Sequence, residues 1–196
     1  MNLKINQNYA RDLFKLNFLF HSIIKKKREE IFHIIKKEFD ANLDKDLLDV
    51  GTTSSLEEHE NHILKNFYDK LNISCLSNLE LTSLKEIYPN IKTFIGDARK
   101  MNFTDNSFDL VVSNATIEHV GSSINQIEFI KECIRVSKKK IIISTPNRFY
   151  PIEFHTKLPL IHYLKKNLHR KILNYLGEDF LSKEENLNLL SKGDIV

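Results

Sequence analysis

The sequence predicts an α/β fold in which a doubly wound, Rossmann-like parallel sheet carries helices on both faces. Short apolar runs alternate along the chain with segments whose apolar residues recur at helical spacing, which is typical of strands joined by crossover helices. The apolar runs are unbroken, which indicates strands buried on both faces. Glycines and polar residues gather directly after several runs, where such sheets bind their ligands.

The segment before the first strand, residues 1–43, is predicted to be a helical extension. Its apolar residues recur at the spacing of one long amphipathic helix, or of two. These residues are Leu13, Leu16, Phe20, Ile23, Ile24, Ile31, Ile34, Ile35 and Phe39. The apolar run at its start is interrupted by Lys15, Asn17 and His21, so we expect neither a transmembrane segment nor a signal peptide.

The first strand is predicted at residues 46–50, and a helix should follow it. Ser54 or Ser55 can cap this helix, because Glu57 and Glu58 stand three residues further on, the spacing of a capping box. The sequence therefore predicts that the helix begins within a few residues of the first strand.

The remaining core elements continue the alternation. They are strands at 73–77, 91–97, 108–114 and 140–146, a short helix at 81–88 and a longer helix from about Ser123. The longer helix is expected to bury Ile127, Ile130, Cys133 and Ile134. Pro146 ends the last strand, so five recognisable strands make up a core domain over residues 44–147.

Composition and charge favour an ordinary globular protein. The 196 residues include 41% hydrophobic and 28% charged residues, and the net charge is +3. The basic runs are scattered and interleaved with acidic residues, so they lack the clustered basic face that phosphate binding needs, and no nucleic-acid partner is expected. Cys75 and Cys133 lie in apolar segments without paired spacing, which favours a reduced, cytoplasmic protein.

The stretch "IGDARKMNFTDNSFDLVVSNATIEHV", residues 95–120, carries the most informative motif. It combines a Gly-Asp-Ala turn at 96–98, an Asp-x-Ser-Phe-Asp turn at 105–109, an apolar strand and a histidine, His119. This ordered set closely resembles the class I S-adenosylmethionine-dependent methyltransferases, in particular the small-molecule branch that includes ubiquinone and menaquinone methyltransferases. Asn102 replaces the proline of the family pattern. The resemblance extends over about residues 47–147.

The resemblance implies S-adenosylmethionine as the cofactor and, after the first strand, a site for its methionine part. Asp49 and Gly51 would lie under this part, and glycine would allow the backbone to approach closely. Thr52 would offer a hydroxyl to the methionine carboxylate. Ser113 and Asn114 would line the floor of the site near the sulfonium.

The resemblance also implies an adenine site and a ribose site. Asp97 would accept a hydrogen bond from the exocyclic amine of adenine, and the backbone amide of Ala98 would donate to a ring nitrogen. Asn78 stands where the family places an acidic residue for the ribose hydroxyls, and a neutral contact there is weaker than a charge-assisted one. No metal-ligand spacing is present, so no metal is expected.

Two histidines are candidate general bases for an acceptor that must lose a proton. His119 comes just after the fourth strand, and His155 lies in the aromatic segment that follows the fifth strand. Residues 148–196 are expected to form a partial substrate cap. The segment loosely resembles that of bacterial methyltransferases associated with surface-glycan or lipid precursors. The implied acceptor is therefore a small molecule, a glycan or a lipid precursor.

Other interpretations stay open at this stage. A dehydrogenase would need Gly-x-Gly-x-x-Gly after the first strand, whereas the loop reads Gly-Thr-Thr-Ser-Ser-Leu. The C-terminal strands of the methyltransferase family have no counterpart after Pro146, so the chain is either a fragment or a shortened domain that binds without turnover. Its open sheet edge would favour weak self-association. An RNA methyltransferase is the less favoured alternative.

Overall fold

A computed structural model describes residues 26–27, 29–37, 46–56 and 61–194 of the chain. Tertiary contacts divide the protein into a unit that ends at Ala41 and a unit that begins at Asn42. In the first unit, residues 26–27 and 29–37 are helical, the second range being α1, and the other residues of the predicted extension lie outside the described ones. The sheet and the candidate site belong to the second unit.

The sheet has five parallel strands in the order β3-β2-β1-β4-β5. Their bounds are β1, Asp46–Val50; β2, Asn72–Ser77; β3, Lys92–Ile95; β4, Phe108–Asn114; and β5, Ser137–Ser144. This architecture confirms the predicted α/β, Rossmann-like class and the five predicted strands. β1 lies at the centre, with β2 on one side and β4 on the other, so the strand order reverses beside β1.

Helices and short 3₁₀ turns connect the strands. The helices are α2, His62–Phe67; α3, Thr82–Ile87; α4, Ser123–Val136; and α5, Lys166–Tyr175, with 3₁₀ turns at Ile117–His119, Ile161–Tyr163 and Lys192–Asp194. Among the described residues, no helix is long and apolar enough to cross a membrane.

The core lies between the two central strands and α4. Leu48 of β1 and Val111 of β4 are fully buried, and Phe129 and Cys133 of α4 pack in the same cluster without any exposed surface. Strands that are covered on both faces favour apolar side chains at successive positions. This preference explains why the central strands β1, β2 and β4 are largely apolar in the sequence, whereas the edge strands β3 and β5 are more exposed.

The predicted start of the first core helix is wrong. α2 begins at His62, after Asn61 in a left-handed conformation (φ 53°), rather than at Ser54 or Ser55. The hydroxyl residues instead stabilise a loop: the Ser55 N–H donates to Thr53 Oγ1, and Asn61 Nδ2 donates to the carbonyls of Thr53 and Ser55. Such local side-chain bonds compete with helix formation.

The buried face of α4 also differs from the predicted one. Ile127 and Ile134 are 51% and 56% exposed, whereas Gln126 is buried. The Gln126 amide donates to the carbonyls of Ile117 and Asn188, so its polar atoms are satisfied in the interior. This pairing turns the helix so that a polar residue faces inward and two isoleucines face outward.

The segment after β5 forms loops, α5 and a buried stretch at residues 187–190. Between residues 145 and 194, all of them described, the only sheet pairing is two isolated bridges, one of which joins Asn147 to Leu190 in parallel. The Asn188 N–H donates to the Glu118 carbonyl at 2.7 Å. The end of the described chain therefore packs against the turn that follows β4.

Candidate functional site

A cavity of about 590 Å³ lies at the carboxyl edge of the sheet, between the loops that follow β1, β2, β3 and β4. Six of the predicted site residues line it: Gly51, Thr52, Asn78, Asp97, Ala98 and His119. Four do not line it: Asp49, Ser113, Asn114 and His155. The cavity is at the switch point of the strand order, where parallel α/β sheets bind ligands.

The turn after β1 forms one wall of the cavity and depends on Gly51. Its φ is +89°, a region that side chains rarely adopt, and a Cβ there would lie 2.1 Å from Thr116 Oγ1. The Gly51 N–H donates to the Leu76 carbonyl at 2.8 Å, which holds the turn against β2. The Gly51 backbone therefore lines the cavity directly, with the Thr116 side chain packed in the space that a Cβ would take.

Asp49 lies beneath this turn and contacts Thr52. Its carboxylate Oδ2 is 3.0 Å from Thr52 Oγ1, and the residue is only 7% exposed. Burial raises the pKa of the Asp49 carboxyl to about 6, and the Thr52 hydrogen bond opposes this rise. Asp49 therefore positions Thr52, which itself lines the cavity.

The loops after β2 and β3 provide the polar groups of the opposite wall. Asp97 is paired with Arg99: Oδ1 accepts from the Arg99 N–H at 2.8 Å and from Nε at 2.9 Å, and Oδ2 accepts from Nη2 at 2.6 Å. The Arg99 hydrogen bonds lower the pKa of Asp97. Asn78 is exposed on the adjoining loop, so a carboxylate, a guanidinium and an amide all face the cavity.

Ser113 and Asn114 are bound elsewhere and do not reach the cavity. Ser113 Oγ is buried and donates to the Val50 carbonyl at 2.9 Å, while Asn114 Oδ1 accepts from Ser144 Oγ at 2.5 Å. Both side chains join neighbouring strands. Ala115 and Thr116 line the cavity in their place, and the sequence contained no motif that singled them out.

A second group of polar side chains lies beside the cavity, around Glu118, His119 and His155. Glu118 is fully buried, and its Oε2 accepts from Thr145 Oγ1 at 2.9 Å. The rings of His119 and His155 meet edge to face, with centroids 4.8 Å apart. Burial raises the pKa of Glu118, and the nearby histidines oppose this effect. The structure thus brings both predicted histidines together.

The ring nitrogens Nδ1 of both histidines have defined partners. His119 Nδ1 is 2.7 Å from the Asn186 carbonyl, and His155 Nδ1 is 2.7 Å from Glu153 Oε1. Glu153 is itself buried and also accepts from the N–H groups of His155 and Thr156. Neither Asn186 nor Glu153 was predicted. Asn186 is distant in sequence from its partner His119, and Glu153, although two residues before His155, belongs to no motif.

Comparison with known proteins agrees with this architecture. Residues 62–143 match the family model described as a methyltransferase domain. No curated protein sequence matches the chain.

Solved structures share the fold at low identity. An S-adenosylmethionine-dependent methyltransferase from Methanosarcina mazei is 16% identical, with a TM-score of 0.57 over 83% of this chain and 80% of its own. A candidate methyltransferase from Bacillus halodurans is 18% identical, with a TM-score of 0.57 over 87% of this chain. A candidate sarcosine dimethylglycine methyltransferase from Galdieria sulphuraria is 17% identical, with a TM-score of 0.57 over 84% of this chain.

The present chain spans 65% of the Bacillus halodurans protein and 57% of the Galdieria sulphuraria protein. Sheet order, switch-point cavity and family match therefore agree on one conclusion. The second unit has the Rossmann-like methyltransferase fold, and residues 62–143 within it match the methyltransferase domain.

Proposed function

We propose that the chain binds S-adenosylmethionine in the switch-point cavity and transfers its methyl group to a small molecule, a glycan or a lipid precursor. The observation that carries this proposal is the turn at Gly51, where the backbone faces the cavity and a Cβ would meet Thr116 at 2.1 Å. The nearby Asp97 adds a carboxylate that can accept from an amine. A volume of about 590 Å³ suits a nucleoside-sized ligand.

Each wall of the cavity would hold one part of the cofactor. Gly51 and Thr52 would bind the methionine carboxylate, Asp97 and the Ala98 amide would bind adenine, and Asn78 would bind the ribose hydroxyls. Asp49 would act through Thr52, and Ser113 would fix the spacing of β1 and β4. Asn114 would likewise fix the spacing of β4 and β5, because its Oδ1 accepts a hydrogen bond from Ser144.

S-adenosylmethionine supplies a methyl group already activated on a positively charged sulfur. The chain's own residues would therefore bind and orient the acceptor, since positioning accounts for much of the rate. His119 lines the cavity and His155 stands behind it. Either ring nitrogen would serve as a base for an acceptor that loses a proton, with the Nδ1 positions held by Asn186 and Glu153.

We further propose that the chain belongs to the branch of small-molecule methyltransferases that its motif at residues 95–120 resembles. The segment after β5 supports an acceptor site there, because it brings aromatic residues such as Phe154 next to His155. Phe154 and His155 meet edge to face with centroids 5.4 Å apart.

A domain that binds the cofactor without turnover is the second candidate. Two observations favour it: the Asp97 carboxylate is already engaged by Arg99, and the residue at the ribose position is the neutral Asn78. Both features would weaken affinity relative to an acidic, unpaired site.

Transfer of a labelled methyl group separates the two candidates. The protein is incubated with methyl-labelled S-adenosylmethionine and protein-free extracts, divided into a water-soluble, a lipid and an RNA fraction. The proposal predicts label in the water-soluble or lipid fraction, with less label from Asp97→Asn at a limiting concentration of S-adenosylmethionine. Label confined to RNA would contradict the acceptor class. Absence of label with intact S-adenosylhomocysteine binding would favour the domain without turnover.

A further inference from the structure

We propose that Glu118, His119 and His155 bind one divalent transition-metal ion. Their candidate ligand atoms lie within 4.8 Å of one another, which makes them the group found among the described residues that could hold a metal. Glu118 and His119 belong to the turn after β4, and His155 belongs to the loop after β5. No metal-ligand spacing marks this group in the sequence, because the third ligand lies on a separate loop.

The hydrogen bonds of the two histidines present the correct nitrogens. A carbonyl can only accept, so the 2.7 Å contact with Asn186 places the proton of neutral His119 on Nδ1. The Glu153 carboxylate fixes His155 in the same way, at 2.7 Å from Nδ1. The neutral form of each ring therefore offers its Nε2 lone pair to a metal. A metal-bound histidine commonly has its other nitrogen hydrogen-bonded to a carboxylate or a backbone carbonyl. Here His155 has the carboxylate and His119 has the backbone carbonyl.

Glu118 provides an independent sign of a missing ligand. The residue is fully buried, and Thr145 satisfies only Oε2. Oε1 has no hydrogen-bond partner, and His155 Nε2 stands 3.8 Å away, beyond hydrogen-bond length. Leaving a buried carboxylate oxygen without a partner is costly. A cation between Glu118 and His155 would satisfy it.

The ligand set selects a class of metal. Two imidazoles and one carboxylate suit zinc and the neighbouring divalent ions of the first transition row, whereas calcium and magnesium prefer oxygen ligands alone. Metal–ligand bonds of roughly 2.0–2.2 Å place tetrahedral ligands about 3.4 Å apart. The 3.8 Å separation of His155 Nε2 from Glu118 Oε1 is therefore close to that needed.

The position of the metal suggests its use. His119 also lines the cavity, so an open coordination position would face the space beside the proposed cofactor. A metal there would bind an acceptor oxygen and favour its deprotonation. This role would replace direct proton removal by His119 or His155, because their Nε2 atoms would be ligands. This use rests on the proposed methyl transfer, whereas the binding of the metal does not.

The test uses the full chain without an affinity tag, after a chelator has removed any bound metal. The protein is titrated with Co²⁺, and binding is followed by visible absorption. We expect the absorption to saturate at one Co²⁺ per chain and Zn²⁺ to displace the bound Co²⁺. Glu118→Gln keeps the shape of the side chain but loses its charge, and His155→Asn removes a ring that is only 12% exposed. Each variant should weaken Co²⁺ binding at least about tenfold, and Glu153→Gln should weaken it about 10- to 100-fold.

His33→Asn is the matched control, because His33 is an exposed histidine of the first unit, and its Co²⁺ affinity should equal that of the unmodified chain. Circular dichroism establishes that each variant is folded. Absence of saturable Co²⁺ binding to the folded chain would overturn the proposal. So would equal affinity in the unmodified chain and a folded His155→Asn variant. Because S-adenosylhomocysteine plays no part in this titration, its outcome is independent of the methyltransferase proposal.

Discussion

Thr116 Oγ1 occupies the space that a side chain at Gly51 would need. The ideal Cβ of residue 51 lies 2.1 Å from this oxygen, and the backbone there has φ +89°. Thr116 Oγ1 also lies 3.3 Å from the Val50 carbonyl, so the two loops after β1 and β4 are closely joined. The shape of the cavity wall depends on this contact.

Gly51→Ala should therefore destabilise the fold and abolish S-adenosylhomocysteine binding. Backbone strain of about 1–2 kcal/mol adds to a clash of about 1–3 kcal/mol. Gly177→Ala is the control, because Gly177 has φ +83° but nothing within 4 Å of its Cβ position. Its free energy of unfolding should fall only by the amount of the backbone strain. Urea denaturation gives both free energies of unfolding. Equal losses would show that the Thr116 contact is unimportant.

Asp97→Asn should lower the affinity for S-adenosylhomocysteine at least about tenfold, because a charge-assisted acceptor for the adenine amine is lost. Its free energy of unfolding should change by under about 1 kcal/mol, since the pair with Arg99 is exposed. Titration calorimetry and urea denaturation measure the two quantities.

Glu128→Gln is the matched control for this change. Glu128 pairs with Lys131 at 2.8 Å on α4, and its side chain is 48% exposed, as is that of Asp97. The control should retain full affinity for S-adenosylhomocysteine. If both variants lost affinity equally, the effect would not be specific to the cavity.

Asp49→Asn should change how stability depends on pH. The Asp49 carboxyl ionises near pH 4 in the unfolded chain, but burial raises its pKa to about 6 in the folded one. The folded state thus loses stability as the pH rises from 4 through 6, by up to about 3 kcal/mol. The amide of the variant does not titrate. Its free energy of unfolding should therefore rise relative to that of the unmodified chain as the pH increases over this range. Parallel urea-denaturation profiles at pH 4 to 7 would contradict the account.

His169→Asn should have the opposite dependence on pH. Burial lowers the pKa of His169 to about 4, Glu153 opposes this, and His162, Arg148 and Arg170 add to it. Below pH 6.5 the unfolded chain binds the proton and the folded chain does not, so stability falls towards pH 4. Between pH 6.5 and 4 the free energy of unfolding of the variant should fall less than that of the unmodified chain. An unchanged slope in urea denaturation would contradict the assignment.

The central strands were predictable because burial on both faces favours apolar side chains at successive positions, which the sequence shows directly. The start of α2 was not, since Asn61 ties Thr53 and Ser55 into a loop. The inward face of α4 was not either, because Gln126 is satisfied by the carbonyl of Asn188, far along the chain.

Some residues of the candidate site were likewise predictable from the sequence, and others were not. Gly51 and Asp97 follow strands directly, so parallel topology alone brings them to one cavity. Glu153 stands only two residues before its partner His155, and no motif marked that pair. Thr116 and Asn186 acquire their roles from contacts between separate loops, namely with Gly51 and His119. Such contacts leave no spacing in the sequence. Asp49 and Ser113 were predicted to meet the cofactor, but their side chains contact Thr52 and the Val50 carbonyl.

Calorimetric titration of the folded chain with S-adenosylhomocysteine tests the central claim most directly. The account predicts saturable binding of one molecule per chain, lost in Gly51→Ala and weakened in Asp97→Asn. Absence of any binding heat in a sample that unfolds cooperatively would contradict the claim that the switch-point cavity is a cofactor site.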